Sequence, residues 1–422
     1  MSIPILPKAI VLRRPCMEVT IETVTPLFLA GAHPRGTPEL RAASIRGALR
    51  FWLRALLGGV VGDGNLDALR EAESAVFGST NGASPVVVRV HQRDALRTAP
   101  FSQLTELDNR TRHYGKPGIA YLFFAARGTG NAPERHAIQA GTSFDLELLL
   151  RPGAKTDHAF EQAYAALWLL THLGGIGARS RRGAGSLQVT KIIEATDSLS
   201  GFPPLEVQSD TPKGLQQELQ QGLKQLREIL MRIMGTSASI TPPSTFDVLH
   251  PDACKIWVVE KAFGSWKDAL DSIGQQMQRF RNRRPPDYQN VKNAVQGQPL
   301  TQPVQRSAFG LPIVFFFRSL YNQYQQQGMN EQQARAAATG ILEAREHDRR
   351  ASPLFIRVTR LMNRKYALVL TLFEAKMLKD GERQKLKRQG PEGFVDAPDL
   401  SLINAFIQDI QNIAPCLEVN LW

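Results

Sequence analysis

The sequence predicts an α+β protein of 422 residues with more than one domain. Three observations predict this fold class. Apolar residues alternate in short segments, as in strands, and recur at three- and four-residue steps in others, as in helices. In the first 195 residues these segments follow the order strand, helix, strands, helix, strand, which is the βαββαβ order of a ferredoxin-like, or RRM-like, domain. The chain is also longer than a single hydrophobic core usually supports.

The first half of the chain has the clearer pattern, and we place one domain over residues 1–195. Ser44 can cap the first helix, which has one apolar face that includes Ile45, Leu49 and Trp52. Strands are predicted at 16–25, 85–91, 119–125 and 143–150, and helices at 44–57 and from 156 or 157 to 172.

Arginines at every fourth position line the first predicted helix, at Arg46, Arg50 and Arg54. Gly47 lies in the first turn and lowers helix propensity by about 1 kcal/mol relative to alanine. That loss is understandable if another group packs closely at this position. A row of arginines on a single helix is, taken alone, more often a solvated face than a binding site.

A glycine- and arginine-rich loop joins the second predicted helix to a strand near 186–189. Glycine lets backbone approach a ligand closely, and guanidinium groups bind phosphate, so the loop is predicted to bind an anion. Phosphate-binding loops of nucleotide-binding proteins run in the opposite order, from strand to helix, so nucleoside triphosphate binding is not expected. The glycines are Gly174, Gly175, Gly177, Gly183 and Gly185, and they flank Arg179, Ser180, Arg181 and Arg182.

The rest of the chain is less regular. Residues 196–245 form a polar linker with a glutamine-rich helix at 214–234, and a second domain is placed at 246–422. Its predicted strands are 255–261, 314–317, 354–359 and 366–373, and its predicted helices are 265–280, 330–346 and about 400–413. In the first domain, a polar segment, 92–118, lies between the predicted strands at 85–91 and 119–125. Its cations and aromatic residue at 109–116 fit either single-stranded RNA or a flexible surface loop equally well.

Composition limits the classes of function. The chain carries 51 lysines and arginines against 39 aspartates and glutamates, a formal charge of +12, which favours nucleic acid as a partner. No apolar run is long enough to cross a bilayer, and the start lacks a secretory signal pattern. The three cysteines are widely separated, so a reducing, cytoplasmic setting is expected.

Four stretches carry a family resemblance: 25–32, 39–52, 174–185, and 309–312 with 351–354. With them the chain resembles the RAMP proteins of CRISPR systems and, within these, the first-subunit family of Cmr, the type III-B RNA-guided effector complex. The resemblance implies two ferredoxin-like RAMP domains with a helical linker and helical insertions. It further implies a non-catalytic subunit that caps the complex near the 3′ end of the CRISPR RNA and helps it to bind target RNA beside other Cmr subunits.

The resemblance and the basic motifs together define the expected RNA contacts. No cofactor, metal or membrane is expected to take part. The alternative is a metal-independent RAMP endoribonuclease that processes CRISPR repeat RNA, with His33 as general base and His113, Tyr114, Lys116 and His172 as further candidates. His347 and Asp348 are interpreted as a solvated pair. The expected RNA-binding residues are Arg41, Ser44, Arg46, Arg50, Arg54, Gly175, Gly177, Arg179, Ser180, Arg181, Arg182 and Gly183.

Overall fold

The computed structural model describes residues 15–130, 132–154, 158–196, 199–235, 238–283, 285–347 and 349–421. It confirms the α+β class, because helices pack against antiparallel sheets. The sheets are amphipathic in the way that the alternating pattern predicts. In the first strand, for example, Met17, Val19 and Ile21 are buried on one face.

The first part of the chain forms one four-stranded sheet in the order β2-β5-β1-β6, with α1 and α5 packed against each other. A small two-stranded sheet, β3-β4, belongs to an insertion between β2 and β5. The elements are β1 Cys16–Thr23, α1 Ala42–Val61, α2 Leu66–Phe77, β2 Val86–His91, β3 Thr98–Pro100, α3 Phe101–Leu104, α4 Pro117–Leu122, β4 His136–Ile138, β5 Ser143–Leu150, α5 Ala159–His172 and β6 Leu187–Ala195.

The remaining part contributes two further four-stranded sheets. The elements are α6 Pro212–Met234, β7 Cys254–Val259, α7 Trp266–Asn282, α8 Pro285–Val295, β8 Ile313–Phe316, α9 Arg318–Gln326, α10 Glu331–Ala337, β9 Thr339–Ala344, β10 Leu354–Arg360, β11 Tyr366–Phe373, β12 Gln384–Lys387, β13 Gly393–Val395, α11 Ser401–Gln411 and β14 Cys416–Val419. One sheet has the order β10-β11-β7-β14, and the other has the order β13-β12-β9-β8. The latter sheet has a separate core with α8 and α9.

The largest hydrophobic core joins elements from both halves of the chain. It includes β1, α1 and α5, the apolar face of α6, and residues of β7, β10 and β11. Helix α6 approaches α5 so closely that a Cβ on Gly222 would overlap the ring of Trp168. The helix predicted within the polar linker therefore packs its apolar face into the main core, although the domain boundaries themselves stay a prediction.

Most predicted elements are confirmed, and the predicted strand 143–150 coincides with β5. Two predictions are wrong. Residues 119–125 form helix α4 and a 3₁₀ turn at Phe124–Ala126, because Pro117 starts a helix and a short apolar run has no distinctive period. The helix predicted at 330–346 ends at Ala337, and the β-branched and apolar residues that follow form β9.

Two further points concern helices. Helix α2 was not predicted; Asn65 caps its start by accepting a hydrogen bond from the N–H of Ala68 at 3.0 Å. The predicted start of the second helix, at residue 156 or 157, lies outside the described residues. The described part, α5, begins at Ala159 and ends at His172 as predicted.

Candidate nucleic-acid interface

The N-terminal half of α1 and the glycine-rich loop meet at one cavity of about 250 Å³. The loop follows α5, and α5 packs on α1, so the loop is held beside the start of α1. The cavity walls combine hydroxyl groups, bare backbone and aromatic rings. They include Ser44, Ala48 and Phe51 of α1, Gly175, Gly177 and Ser180 of the loop, and Phe355 of β10.

Two loop glycines are required by the close packing at this cavity. Gly177 has φ +81°, and a Cβ there would lie 2.5 Å from the carbonyl oxygen of Phe28. A Cβ on Gly175 would lie 3.1 Å from the carbonyl oxygen of Gly185. A larger residue at 177 would push the loop away from Phe28, and one at 175 would crowd the loop backbone at Gly185, so the glycines determine the shape of the loop at the cavity.

The three loop arginines, Arg179, Arg181 and Arg182, are engaged within the chain. Arg179 donates to the carbonyl oxygen of Leu122 at 2.9 Å, and Arg182 donates to that of Phe309 at 2.6 Å.

Arg181 is the loop arginine that lines the cavity. It pairs with Asp247 at 2.8 Å, and its guanidinium lies 4.3 Å from the centre of the Phe355 ring. Arg181 and Arg182 thus connect the loop to the second half of the chain, and Arg179 connects it to α4, while the contact of these arginines with RNA stays a prediction.

The arginines of α1 differ in their availability. Arg46 is exposed, whereas Arg50 and Arg54 both bind the buried carboxylate of Glu73, at 2.5 and 2.9 Å. Gly47 is exposed as well, and a Cβ there would have no heavy atom within 4 Å. No packing contact within the described part of the chain therefore explains this glycine.

Two other predicted residues lie near the start of α1. Arg41 occupies the N-cap position, with its side chain about half exposed and 3.8 Å from Glu39. The prediction that Ser44 caps α1 is wrong: the helix begins at Ala42, and Ser44 lies inside its first turn and lines the cavity. The first-turn N–H groups of a helix carry partial positive charge, so this end of α1 favours an anion.

The aromatic wall was not predicted as part of the site. The ring centres of Phe51 and Phe355 are 5.7 Å apart, and those of Trp52 and Phe355 are 5.6 Å apart. Phe51 and Trp52 belong to the 39–52 stretch that carries the family resemblance, so that stretch was an available signal. Phe355 lies about 300 residues away in the sequence, and no local pattern connects it to α1.

The residues proposed for the ribonuclease alternative do not form a cluster among the described contacts. His172 is buried, and burial together with the charge of Arg357 lowers its pKa to about 3. Lys116 pairs with Asp268 at 2.8 Å, and Tyr114 packs edge-on against Phe101. His33 is exposed in a turn that its carbonyl oxygen closes with the N–H of Gly36.

One group of side chains has the composition of a metal site: Glu346, His347 and Glu382, whose potential ligand atoms lie within 4.8 Å of one another. The Glu382 carboxylate already accepts the N–H of Glu346 at 2.9 Å. Burial opposes ionisation of Glu382, but this hydrogen bond and His347 outweigh burial and lower its pKa. The Glu382 carboxylate thus already has hydrogen-bond partners within the chain. Asp348, the predicted partner of His347, lies outside the described residues.

Comparison with known proteins defines the class first: residues 20–188 match the model of the RAMP superfamily. A curated relative, CRISPR system Cmr subunit Cmr1-2 of Pyrococcus furiosus, is 35% identical over 179 residues, which are 41% of this chain and 95% of the relative. Subunit Cmr1-1 of the same organism is 25% identical over 85% of this chain and 87% of its own length. The chain belongs to the Cmr1 family of RAMP proteins.

Solved structures agree in fold. The crystal structure of apo Cmr1 from Pyrococcus furiosus has a TM-score of 0.61 at 21% identity and covers 96% of this chain and 99% of that one. A chain of the type III-B Cmr-beta complex, bound to cognate target RNA and AMPPnP in the presence of ssDNA, has a TM-score of 0.52 at 12% identity, covering 95% of this chain and 100% of that one. Among the described residues, no helix has the length and apolar character needed to span a membrane.

Proposed function

We propose that this chain is an RNA-binding subunit of a type III-B Cmr effector complex, located near the 3′ end of the CRISPR RNA, where it helps to hold target RNA without cutting it. Membership of the Cmr1 family supports the assembly, and the similarity to a chain of an RNA-bound Cmr complex is consistent with it. The observation that carries the proposal is the cavity where the exposed start of α1 meets the glycine loop.

The chemistry at this end of α1 suits a sugar-phosphate backbone. In the cavity, Ser44 and Ser180 supply hydroxyl donors, and the start of α1 supplies a positive field. Outside the cavity lining, Arg46 adds an exposed cation to the same end of α1, and bare backbone at Gly47 lets a strand approach closely. These contacts recognise backbone rather than base edges, so binding is expected to depend weakly on sequence and strongly on salt.

We also propose that the fold consists of two ferredoxin-like domains, at 1–195 and 246–422, joined by residues 196–245. The supporting observation is the strand order. If the strands of each βαββαβ unit are numbered along the chain, both β2-β5-β1-β6 and β10-β11-β7-β14 have the order 2-3-1-4. In this interpretation the segments 92–142 and 285–347 are insertions into the two domains.

Substitution of Arg46 tests whether the exposed start of α1 contacts RNA. Arg46→Gln is expected to weaken binding of single-stranded RNA and to lower the log–log salt slope by about 0.7, since one phosphate contact is lost. Fluorescence anisotropy of a labelled RNA at several salt concentrations measures both. Arg232→Gln removes an exposed arginine from α6 and is the control. Equal affinity and slope for the two variants would count against the α1 site.

A second variant separates binding from folding. Gly47→Leu fills the open space beside α1 and, because leucine favours helix, should leave the protein at least as stable. RNA affinity should nevertheless decrease, because the added side chain occupies the space where the strand would approach. A stable Gly47→Leu protein with unchanged affinity would show that RNA binds elsewhere.

The assembly and the absence of cutting need separate experiments. A tagged chain purified from its native host should carry other Cmr subunits and a guide RNA, and crosslinking should map it to the 3′ part of that guide. Incubation with repeat RNA in EDTA should leave the RNA intact. Specific cleavage that disappears in His33→Ala would instead establish the endoribonuclease.

A further inference from the structure

A cluster of arginines lies around the rings of Tyr121 and Phe309. The Arg281 guanidinium lies 5.9 Å from the centre of the Tyr121 ring and 5.7 Å from that of Phe309. The Arg182 guanidinium lies 5.8 Å from the Phe309 ring centre. Two more arginines are connected to the backbone next to these rings. Arg179 donates to the residue after Tyr121, and Arg306 belongs to the same 3₁₀ turn as Phe309. We call Arg179, Arg182, Arg281 and Arg306 the arginine cluster.

Among the described residues, negative charge does not balance this cluster. Arg306 lies 3.7 Å from the carboxylate of Asp287. For Arg179, Arg182 and Arg281, the described residues provide no carboxylate within 4.0 Å. Arg179 and Arg182 have backbone carbonyl groups as partners, which accept hydrogen bonds but carry no net charge. The elements that meet here, α4, α7 and the glycine loop, thus bring together more cations than anions.

Two donors in the cluster also lack an acceptor in the part of the chain that the structure describes. Within the described residues, Nη1 of Arg182 and Nε of Arg281 are buried and make no hydrogen bond. The Arg182 side chain is only 9% exposed. Burial, together with the charges of Arg179 and Arg281, lowers its pKa to about 9. Buried guanidinium groups are normally paired, because a buried cation without a counter-charge destabilises the folded state.

We infer that the arginine cluster binds a phosphate-type anion, either a backbone phosphate of nucleic acid or free inorganic phosphate. A tetrahedral oxyanion accepts several hydrogen bonds and offsets several positive charges at once, and the planar fork of arginine matches it. Arg179, Arg281 and Tyr121 are partly exposed, so the cluster reaches the surface between α4 and the end of α7. This site is distinct from the cavity at Ser44 and Gly177, which Arg181 lines.

Thermal unfolding of the full chain tests the site with inorganic phosphate as the probe. At constant ionic strength, replacement of chloride by phosphate should raise the Tm in a saturable way, because an anion that binds only the native state stabilises it. Arg281→Gln should lose this rise. Arg283→Gln is the matched control at the end of the same helix; Arg283 is about two-thirds exposed and pairs with Asp409 at 3.5 Å. It should keep the rise.

Titration with single-stranded RNA distinguishes the two sources of phosphate, and only this part rests on the proposed function. A salt slope lower by about 0.7 in Arg281→Gln assigns the site to an RNA phosphate. A lost phosphate response with an unchanged slope assigns it to the free anion. If Arg281→Gln matches the wild type in both experiments, the inference is overturned. If Arg46→Gln weakens RNA binding in the same titration, the proposed α1 site stands even when the phosphate inference fails.

Discussion

His172 shows how a residue that looks chemically active can be structural. It stacks on Trp168 with ring centres 4.2 Å apart, and its Nδ1 lies 2.9 Å from the Trp168 carbonyl oxygen. Arg357 lies close by, donating to the carbonyl oxygens of Gly174 and Leu187, both at 2.6 Å. Because burial and this neighbouring cation disfavour a second positive charge, the imidazole stays neutral at physiological pH.

The lowered pKa of His172 predicts a specific loss of stability in acid. The pKa is about 3 in the folded state and about 6.5 in the unfolded chain, so below pH 6.5 the unfolded chain binds a proton that the folded state rejects. Stability should therefore decrease by about 1.4 kcal/mol per pH unit between pH 6 and 4 from this residue alone. Denaturant unfolding of His172→Gln should show a correspondingly smaller decrease.

Exposed His33 provides the control for this measurement, because His33→Gln removes a histidine without changing the core. If the free energy of unfolding depends on pH equally in the wild type and in His172→Gln, His172 is not the cause of the acid destabilisation. His172→Gln should still cost some stability at pH 7, since it removes the stacking on Trp168.

At the scale of elements, the α1–α2 pair controls how much positive charge α1 presents to solvent. Glu73 of α2 is buried and binds both Arg50 and Arg54, while Arg46 is left exposed on α1. Helix α2 therefore reduces the number of cations that α1 presents. The sequence shows the spacing of the three arginines. It does not show that two of them bind Glu73 while the third is exposed to solvent.

Glu73→Gln should break the ion pairs that hold Arg50 and Arg54 against α2. Because the amide carries no charge, Arg50 and Arg54 become available, and RNA affinity should increase with a steeper salt slope. Stability should decrease by about 1 kcal/mol, because the paired arginines are already partly exposed. Asp67→Asn makes the same charge change on the same helix at an exposed ion pair and should have little effect. Equal RNA binding by the two variants would contradict this account.

What the sequence predicted well depends on local patterns. Strand β5 was placed correctly because its alternation is regular, and the glycine loop was found from composition alone. The strand predicted at 119–125 failed because its surroundings, an insertion packed on α7, decide its conformation. The partners of Arg181, which are Asp247 and Phe355, lie far away in the sequence, so the role of the loop in joining the two halves could not be predicted.

At the scale of the whole molecule, each half of the chain reaches into the other. The insertion of the first half lies on α7, where Asp271 accepts the N–H of Gly118 at 2.7 Å and Asp268 pairs with Lys116 at 2.8 Å. In the other direction, Arg357 of β10 is buried against the carbonyl groups at the end of α5. The glycine loop begins just after those carbonyl groups, so its position depends on the second half of the chain.

The contact between Gly118 of α4 and Gly274 of α7 predicts which substitution separates the two halves. A Cβ on Gly274 would overlap the carbonyl group of Gly118. Gly274→Ala should therefore push α4 away from α7 and destabilise the protein by about 1–3 kcal/mol or more, even though alanine favours helix. Differential scanning calorimetry measures the loss, and limited proteolysis should show faster cleavage within 92–118.

Gly47→Ala is the matched control, because it makes the same chemical change in a helix where the added methyl group meets no heavy atom within 4 Å. It should stabilise the protein by up to about 1 kcal/mol. If both variants were stabilised, the two halves would not be held together at Gly274. If only Gly274→Ala is destabilised and also binds RNA more weakly, the position of the glycine loop depends on the packing of α4 on α7. RNA affinity would then depend on how the two halves dock as well as on the residues that line the cavity.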